Sequence, residues 1–125
     1  MPGNEKLEYL LELSQTLAPL PEWLDERRGE MHEVNECMTP VFVFAERNED
    51  GRFTFHIDIP PESPTVQGFG AILQQGLKGA TADEIAAVPD QFYLATGLQT
   101  VLSGQRLFGM SAILSDVKRL AAETQ

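Results

Sequence analysis

A pair of apolar stretches joined by Asp50-Gly51 constrains the fold more than any other feature of the sequence. The second stretch, RFTFHIDI at residues 52–59, alternates between apolar and polar side chains, which is typical of a strand with one buried face. Its apolar face holds Phe53, Phe55, Ile57 and Ile59, and its other face holds Thr54, His56 and Asp58. The first stretch, VFVFAE at residues 41–46, is apolar on both faces, so we expect both faces to be buried. Asp-Gly is a strong hairpin-turn signal, so the two stretches predict an antiparallel pair.

A third, weaker strand candidate precedes this hairpin. It is MHEVNE at residues 31–36, which leads directly to Cys37. The three stretches together predict a three-stranded antiparallel sheet.

Helical patterns occupy the rest of the chain. EKLEYLLELSQTL at residues 5–17 carries one apolar stripe and ends before Pro19 and Pro21, and WLDERRGE after it is interpreted as a charged connection. Ser63-Pro64 predicts the start of a second helix that Gly79 ends. The interior Gly68 and Gly70 indicate close backbone approach, which we expect to be to the sheet.

Three more helices are predicted towards the C-terminus. TADE at residues 81–84 is a capping box that opens a short helix. A second short helix is predicted from Pro89 to Gly97. Ser103 is expected to cap a long final helix whose stripe holds Leu107, Met110, Leu114, Val117 and Ala121. The sequence therefore predicts one α+β domain over residues 1–125, with an N-terminal helix and further helices packed on the sheet.

Charge excludes some classes of partner. The 125-residue chain has 19 acidic and nine basic residues and a formal charge of −10. Such a charge repels phosphate backbones and anionic lipids, so we expect neither a nucleic-acid nor a membrane partner. Either a basic surface on a partner protein or simple solubility accounts for it. The start of the sequence does not have the pattern of a signal peptide, so we expect a cytoplasmic location.

Cys37 is the only cysteine, so it has no partner for an internal disulfide. Two roles fit this residue. A free cysteine often acts as a small buried apolar side chain. Cys37 also fits a reactive thiol at the tip of a loop, because Asn35 and Thr39-Pro40 favour a turn. Glu33 and Glu36 flank it, and carboxylates disfavour the thiolate. A thiol that a partner's chemistry acts upon is therefore more consistent than a self-contained cysteine hydrolase using His32 or His56.

Other candidate sites are weaker. Cys37, His32 and His56 lack the paired spacing of a zinc site, and His56 reads more simply as part of a solvated strand face, so we predict no metal. Arg106 falls in the first turn of the final helix, where a cation gains nothing from the helix dipole. It is either half of a surface ion pair or a group that meets an acidic group or a partner.

Several segments coincide with those of one family. VNECMTPVFVF resembles a V-x-G-C-Q-S-x-V-W-like stretch, ESPTVQGFGAIL resembles an acidic-small run before an apolar helix, and residues 81–113 resemble a T-P-x-[DE]-I through R-x-x-G-L-x-x-M region. YLLELSQTLAPLPE resembles the same family's first helix and its proline-marked end. On these motifs the chain resembles the SufE family, sulfur acceptors of iron–sulfur cluster assembly, over nearly its whole length.

The resemblance implies a SufE/IscU-like α+β fold and a concrete activity. Cys37 would take a persulfide sulfur from a SufS-type cysteine desulfurase, stimulate that enzyme, and pass the sulfur to a SufB-type scaffold. The protein would be a carrier and activator rather than an enzyme, with no cofactor of its own, because the pyridoxal phosphate belongs to the desulfurase. Arg106, Glu62 and Met38 are predicted as orienting or partner-binding groups.

Two departures from the family pattern flank Cys37. Glu36 stands where the family has glycine, and Met38-Thr39 stands where it has Gln-Ser. Glutamate restricts a backbone that glycine would leave free. These departures keep a rival open, namely a module that binds a desulfurase without accepting sulfur. We also expect a persulfide to be sheltered by Met38, Val34 and the strand at residues 41–44, with room left by Gly68 and Gly70.

Overall fold

The computed structural model describes residues 3–34, 40–89 and 104–124, with the backbone alone for residues 3, 4, 6, 7, 105 and 106. The helices, with a 3₁₀ turn at Arg28–Glu30 after the second, are α1 (Gly3–Ser14), α2 (Glu22–Asp25), α3 (Pro64–Gly76), α4 (Ala82–Ala86) and α5 (Gly104–Glu123). The strands are β1 (His32–Glu33), β2 (Phe42–Arg47), β3 (Arg52–Asp58) and β4 (Ala80–Thr81). The fold is α+β, as the sequence predicts.

The described strands form one antiparallel sheet in the order β1-β2-β3-β4. The predicted hairpin is confirmed: β2 and β3 pair from Phe42 opposite Asp58 to Arg47 opposite Phe53, and Gly51 turns the chain at a φ of 79°. The prediction of three strands was wrong by one. The two-residue β4 is too short to show an alternating pattern in the sequence. It forms because Gly79, at a φ of 80°, turns the chain back towards β3, and the Gly79 N–H donates to the Phe53 carbonyl.

The helices α3 and α5 cover one face of the sheet, which we call the inner face. The apolar side chains of β3 point there, as predicted, and Phe55 is fully buried. On α5 the predicted stripe is confirmed, because Met110, Leu114, Val117 and Ala121 are buried and Leu107 is partly buried against them. The core therefore lies between the sheet and these helices, and α1 packs on α3 through the buried Leu10.

The opposite, outer face of the sheet corrects three predictions. Val43 is fully buried on the inner face, but Phe42 and Phe44 on the outer face are only half-buried. The segment interpreted as a charged connection, residues 23–30, begins inside α2, whose Trp23 packs edge-on against Phe44 and His56 with ring centroids 5.7 and 5.5 Å apart. His56 is consequently only 14% exposed, so this strand face is partly covered rather than solvated.

Two glycines of α3 mark close contacts, one of them unexpected. A Cβ on Gly70 would lie 2.7 Å from Ile59 Cδ1, so Gly70 approaches the sheet as predicted. A Cβ on Gly68 would lie 2.2 Å from the backbone oxygen of Leu10, so Gly68 approaches α1 instead. Both spaces are filled by these neighbours, and the expectation that the glycines leave room for a bound sulfur was wrong.

The predicted starts and ends of the helices are confirmed only in part. The capping box is confirmed, because the Thr81 hydroxyl accepts from Glu84 N–H and the Glu84 carboxylate accepts from Thr81 N–H. Pro64 is at the start of α3, but that helix ends at Gly76, before Gly79. The predicted helix from Pro89 to Gly97 and the cap at Ser103 lie outside the described residues, apart from Pro89 itself.

Candidate functional site

The segment that carries Cys37 joins β1 to β2. Its two ends are fixed in the core: Val34 is 1% exposed, Val41 is fully buried, and Val34 N–H donates to the Val41 carbonyl at 2.9 Å. The chain thus leaves and re-enters a rigid hairpin base at these two valines. We call this end of the sheet the cysteine end.

Cys37 and Met38 themselves lie outside the described residues, so their predicted roles remain predictions. Along the chain, Cys37 is three residues after Val34 and four before Val41, so the chemistry predicted for it is expected at the cysteine end.

Glu62 lies at this same end. Because β2 and β3 are antiparallel, the start of β2 pairs with the end of β3, and the turn that carries Glu62 follows β3 directly. Ser63 N–H closes that turn on the Pro60 carbonyl at 3.1 Å, and Glu62 is exposed. The topology thus brings Glu62 to the end of the sheet from which the Cys37 segment leaves.

Arg106 lies in the first turn of α5, as predicted, and its side chain is outside the described part of the structure. Ten residues separate it from Asp116 on the same helix, which is about 15 Å along the axis. Its role as an orienting or partner-binding group stays a prediction.

His32 joins β1 to α5 in a cluster that the sequence did not predict. Its Nε2 lies 3.1 Å from Asp116 Oδ2 and 2.8 Å from Arg119 Nη2. Arg119 also pairs with Glu123 at 3.1 Å, and this hydrogen bond, with the nearby carboxylates of Glu123 and Asp116, raises the pKa of the guanidinium. Asp116 additionally lines a cavity of about 270 Å³ with Phe108, Ser111, Ala112 and Ser115.

The two histidines lie on opposite faces of the sheet. His32 is opposite the buried Val43 and faces α5, whereas His56 is on the outer face and bonds Glu46 at 2.8 Å. Each ring therefore already has a carboxylate partner. For a hydrolase using His32 the arrangement is unfavourable, because a guanidinium lies within 3.5 Å of both ring nitrogens.

Two absences among residues 3–34, 40–89 and 104–124 bear on function. These residues contain no group of three or more His, Cys, Asp or Glu side chains placed to hold a metal ion. No helix among them combines the length and apolar character needed to cross a bilayer.

On the described surface, several arginines form ion pairs with carboxylates, whereas other carboxylates are exposed to solvent. Arg27 pairs with Glu30, Arg28 bridges Asp25 and Asp58, and hydrogen bonds to these carboxylates raise the pKa of both guanidiniums. Much of the positive charge is thus neutralised within the molecule. Carboxylates such as Glu5, Glu8 and Glu12 on α1 are exposed. The surplus negative charge is therefore presented to solvent, which fits either a basic partner surface or simple solubility.

Comparison with known proteins gives a consistent result. The model of the SufE family, described as an Fe-S metabolism associated domain, matches residues 2–121. A SufE-like protein of Mycobacterium tuberculosis (strain ATCC 25618 / H37Rv) is 40% identical over 97% of this chain and 83% of its own. A SufE-like protein of Synechocystis is 31% identical over 98% of this chain and 73% of its own. A solution structure of a hypothetical protein from Thermus thermophilus superposes with a TM-score of 0.83 at 31% identity, over 98% of this chain and 86% of that one.

Proposed function

Because this chain belongs to the SufE family, we propose that Cys37 accepts a persulfide sulfur from a SufS-type cysteine desulfurase and carries it to a SufB-type scaffold. Family membership places the protein in iron–sulfur metabolism and implies a cysteine desulfurase as its partner. One observation supports the choice of residue: the family match covers residues 2–121, and Cys37 is the only cysteine of the chain.

The proposed transfer balances without an oxidant. The Cys37 thiolate attacks the terminal sulfur of the desulfurase persulfide, a new S–S bond forms on Cys37, and the S–S bond on the desulfurase cysteine breaks. The electron pair stays on the desulfurase sulfur, which takes the proton that Cys37 loses, so the step is a form of thiol–disulfide exchange. Removing the sulfur frees the desulfurase for its next turnover, which accounts for stimulation.

The geometry of the cysteine end supports this role. A carrier must present its cysteine to two partners in turn, and the hairpin base at Val34 and Val41 supplies a rigid support for the segment that does so. The negative charge favours docking on a basic surface, and a cytoplasmic compartment keeps the thiol reduced. Glu62, Arg106 and Met38 are proposed to contact the partner or orient the sulfur.

A rival function is binding to the desulfurase without accepting sulfur. Glu36 and Met38, which replace the glycine and glutamine of the family pattern, favour it. Measuring alanine release by a SufS-type desulfurase with wild-type protein and with Cys37→Ser separates the two. The carrier predicts stimulation by the wild-type protein that is lost in Cys37→Ser at equal binding. Full stimulation by Cys37→Ser would instead support the binding module.

A further inference from the structure

A cavity of about 320 Å³ lies where three parts of the fold meet, apart from the cysteine segment. Its walls come from the connection between α1 and α2 at residues 16–21, from outer-face side chains of β3, and from the C-terminal end of α3. Ligand pockets in proteins have volumes of about 300 Å³ and more, so this cavity is large enough for a small molecule.

Two glutamines of α3 hold the walls of this cavity together. Gln74 donates to the Phe55 carbonyl at 3.1 Å and accepts from the Ala18 N–H at 3.0 Å, so one side chain joins the strand to the connection. Gln75 donates to the Thr16 hydroxyl at 2.7 Å. Segments that are distant in sequence are thereby fixed around the cavity, which is formed without a ligand, as most ligand pockets are.

Two polar side chains that line the cavity have no partner in the described part of the chain. They are the Lys78 ammonium group and the Thr54 hydroxyl group, which form neither a hydrogen bond nor an ion pair with any described residue. The Gly79 N–H donates to the Phe53 carbonyl at 2.8 Å, so the backbone positions of Lys78 and Thr54 are neighbours. Lys78 is exposed and Thr54 is half-buried, so a ligand can reach both from solvent.

The lining of the cavity differs in charge from the chain as a whole. The chain has a formal charge of −10, but no Asp or Glu is among the described lining residues. The ionisable groups among them are Lys78 and His56, and the His56 ring bonds the Glu46 carboxylate at 2.8 Å. Lys78 therefore gives the cavity a positive charge that no described group of its wall neutralises.

The polar and apolar parts of the lining together select a class of ligand. An ammonium group and a hydroxyl group both donate hydrogen bonds, and a carboxylate accepts both, the one from the ammonium being charge-assisted. Ala18, Pro19 and Pro21 give the wall formed by the connection an apolar surface. A single cation in so acidic a chain suits a monoanion better than a phosphate.

We propose that this cavity binds a small carboxylate with a short apolar chain. Lys78 and Thr54 bind the carboxylate, and Ala18, Pro19 and Pro21 contact the apolar chain. This binding site does not depend on the proposed role of Cys37, so the failure of either proposal leaves the other standing.

The test titrates butyrate, acetate and butanol into isotope-labelled protein at pH 7 and follows the backbone amide shifts by NMR. Butyrate has the carboxylate and the apolar chain, acetate lacks most of the chain, and butanol lacks the charge. The variants are Lys78→Gln, Thr54→Val and Arg47→Gln. Arg47 is the matched control, because it is a cation without an ion pair to any described residue and lines a different cavity with Asp50 and Asp83.

We expect butyrate to give saturable shifts at the amides around Thr54 and Lys78, with a dissociation constant on the order of millimolar because few ligand atoms contribute. Acetate and butanol should bind at least about fivefold more weakly. Lys78→Gln and Thr54→Val should each weaken butyrate binding about fivefold, the effect of one exposed ion pair or one ordinary hydrogen bond. Arg47→Gln should bind butyrate within about twofold of wild type.

Three results would overturn the proposal. They are no saturable shift with butyrate, equal binding of butanol and butyrate, and equal weakening by Lys78→Gln and Arg47→Gln. The spectrum of each variant without ligand shows whether it is folded, and Lys78→Gln decides the matter if Thr54→Val is not.

Discussion

Replacing Gly68 by alanine tests the packing of α1 on α3. The added Cβ would lie 2.2 Å from the Leu10 backbone oxygen and 2.8 Å from Leu10 Cδ1. Real Cβ atoms do not approach that closely, and a backbone oxygen cannot rotate away as a side-chain end can. The two helices must therefore separate, although Leu10 is 1% exposed and belongs to the core.

The expected magnitude is the difference of two effects. Overpacking of a core contact costs about 3 kcal/mol at the upper end of its usual range. Alanine is better than glycine in a helix by about 1 kcal/mol. The free energy of unfolding should therefore fall by about 2 kcal/mol in Gly68→Ala, measured by urea unfolding followed by far-UV circular dichroism.

Two variants of the same helix control for propensity. Gly76→Ala meets nothing within 4 Å, so it should be neutral or more stable by up to about 1 kcal/mol. Gly70→Ala meets the flexible Ile59 Cδ1 at 2.7 Å and should fall between the other two. If Gly68→Ala were as stable as Gly76→Ala, the close contact between α1 and α3 would be refuted.

Two further predictions concern the capping box and the outer face. The hydrogen bond from the Thr81 backbone N–H lowers the pKa of Glu84 in the folded protein. The ionised carboxylate therefore stabilises the folded state above the ordinary pKa of 4.5, and this stabilisation is lost as pH falls through the lower folded-state pKa. Urea midpoints of wild type and Glu84→Gln should therefore differ at pH 7 and converge in acid, and a difference that persists in acid would contradict this. Trp23→Ala should lower the free energy of unfolding by about 2 kcal/mol, because it removes two edge-on ring contacts. Tyr9→Ala, which removes an exposed ring with no aromatic neighbour in the described structure, should change it by under about 0.5 kcal/mol, and equal losses in the two variants would count against the Trp23 contacts.

The sequence predicted those features that depend on neighbouring residues. The alternation in β3, the Asp50-Gly51 turn and the Thr81–Glu84 box are local patterns with a direct physical cause, and the structure confirms each. The apolar stripe of α5 is similarly local, because residues three and four apart share a helix face.

The features that the sequence did not predict arise from contacts between distant segments. α2 is four residues long and has little intrinsic helix stability, but its buried Leu24 and its Trp23 pack against the rest of the fold. Gly68 meets Leu10, 58 positions earlier, and His32 meets Asp116 across 84 positions. No local pattern encodes such pairs. For the candidate site, Cys37 came from its uniqueness and from the family resemblance, whereas the cluster around His32 required the structure.

The most direct test of the account is the mass of the intact protein after brief incubation with a SufS-type cysteine desulfurase and cysteine. We predict a species one sulfur atom heavier, which a reductant reverses and which Cys37→Ser does not form. The alanine produced in the same mixture shows that the desulfurase is active. No heavier species in the presence of continued alanine production would contradict the proposal that Cys37 accepts sulfur from that enzyme.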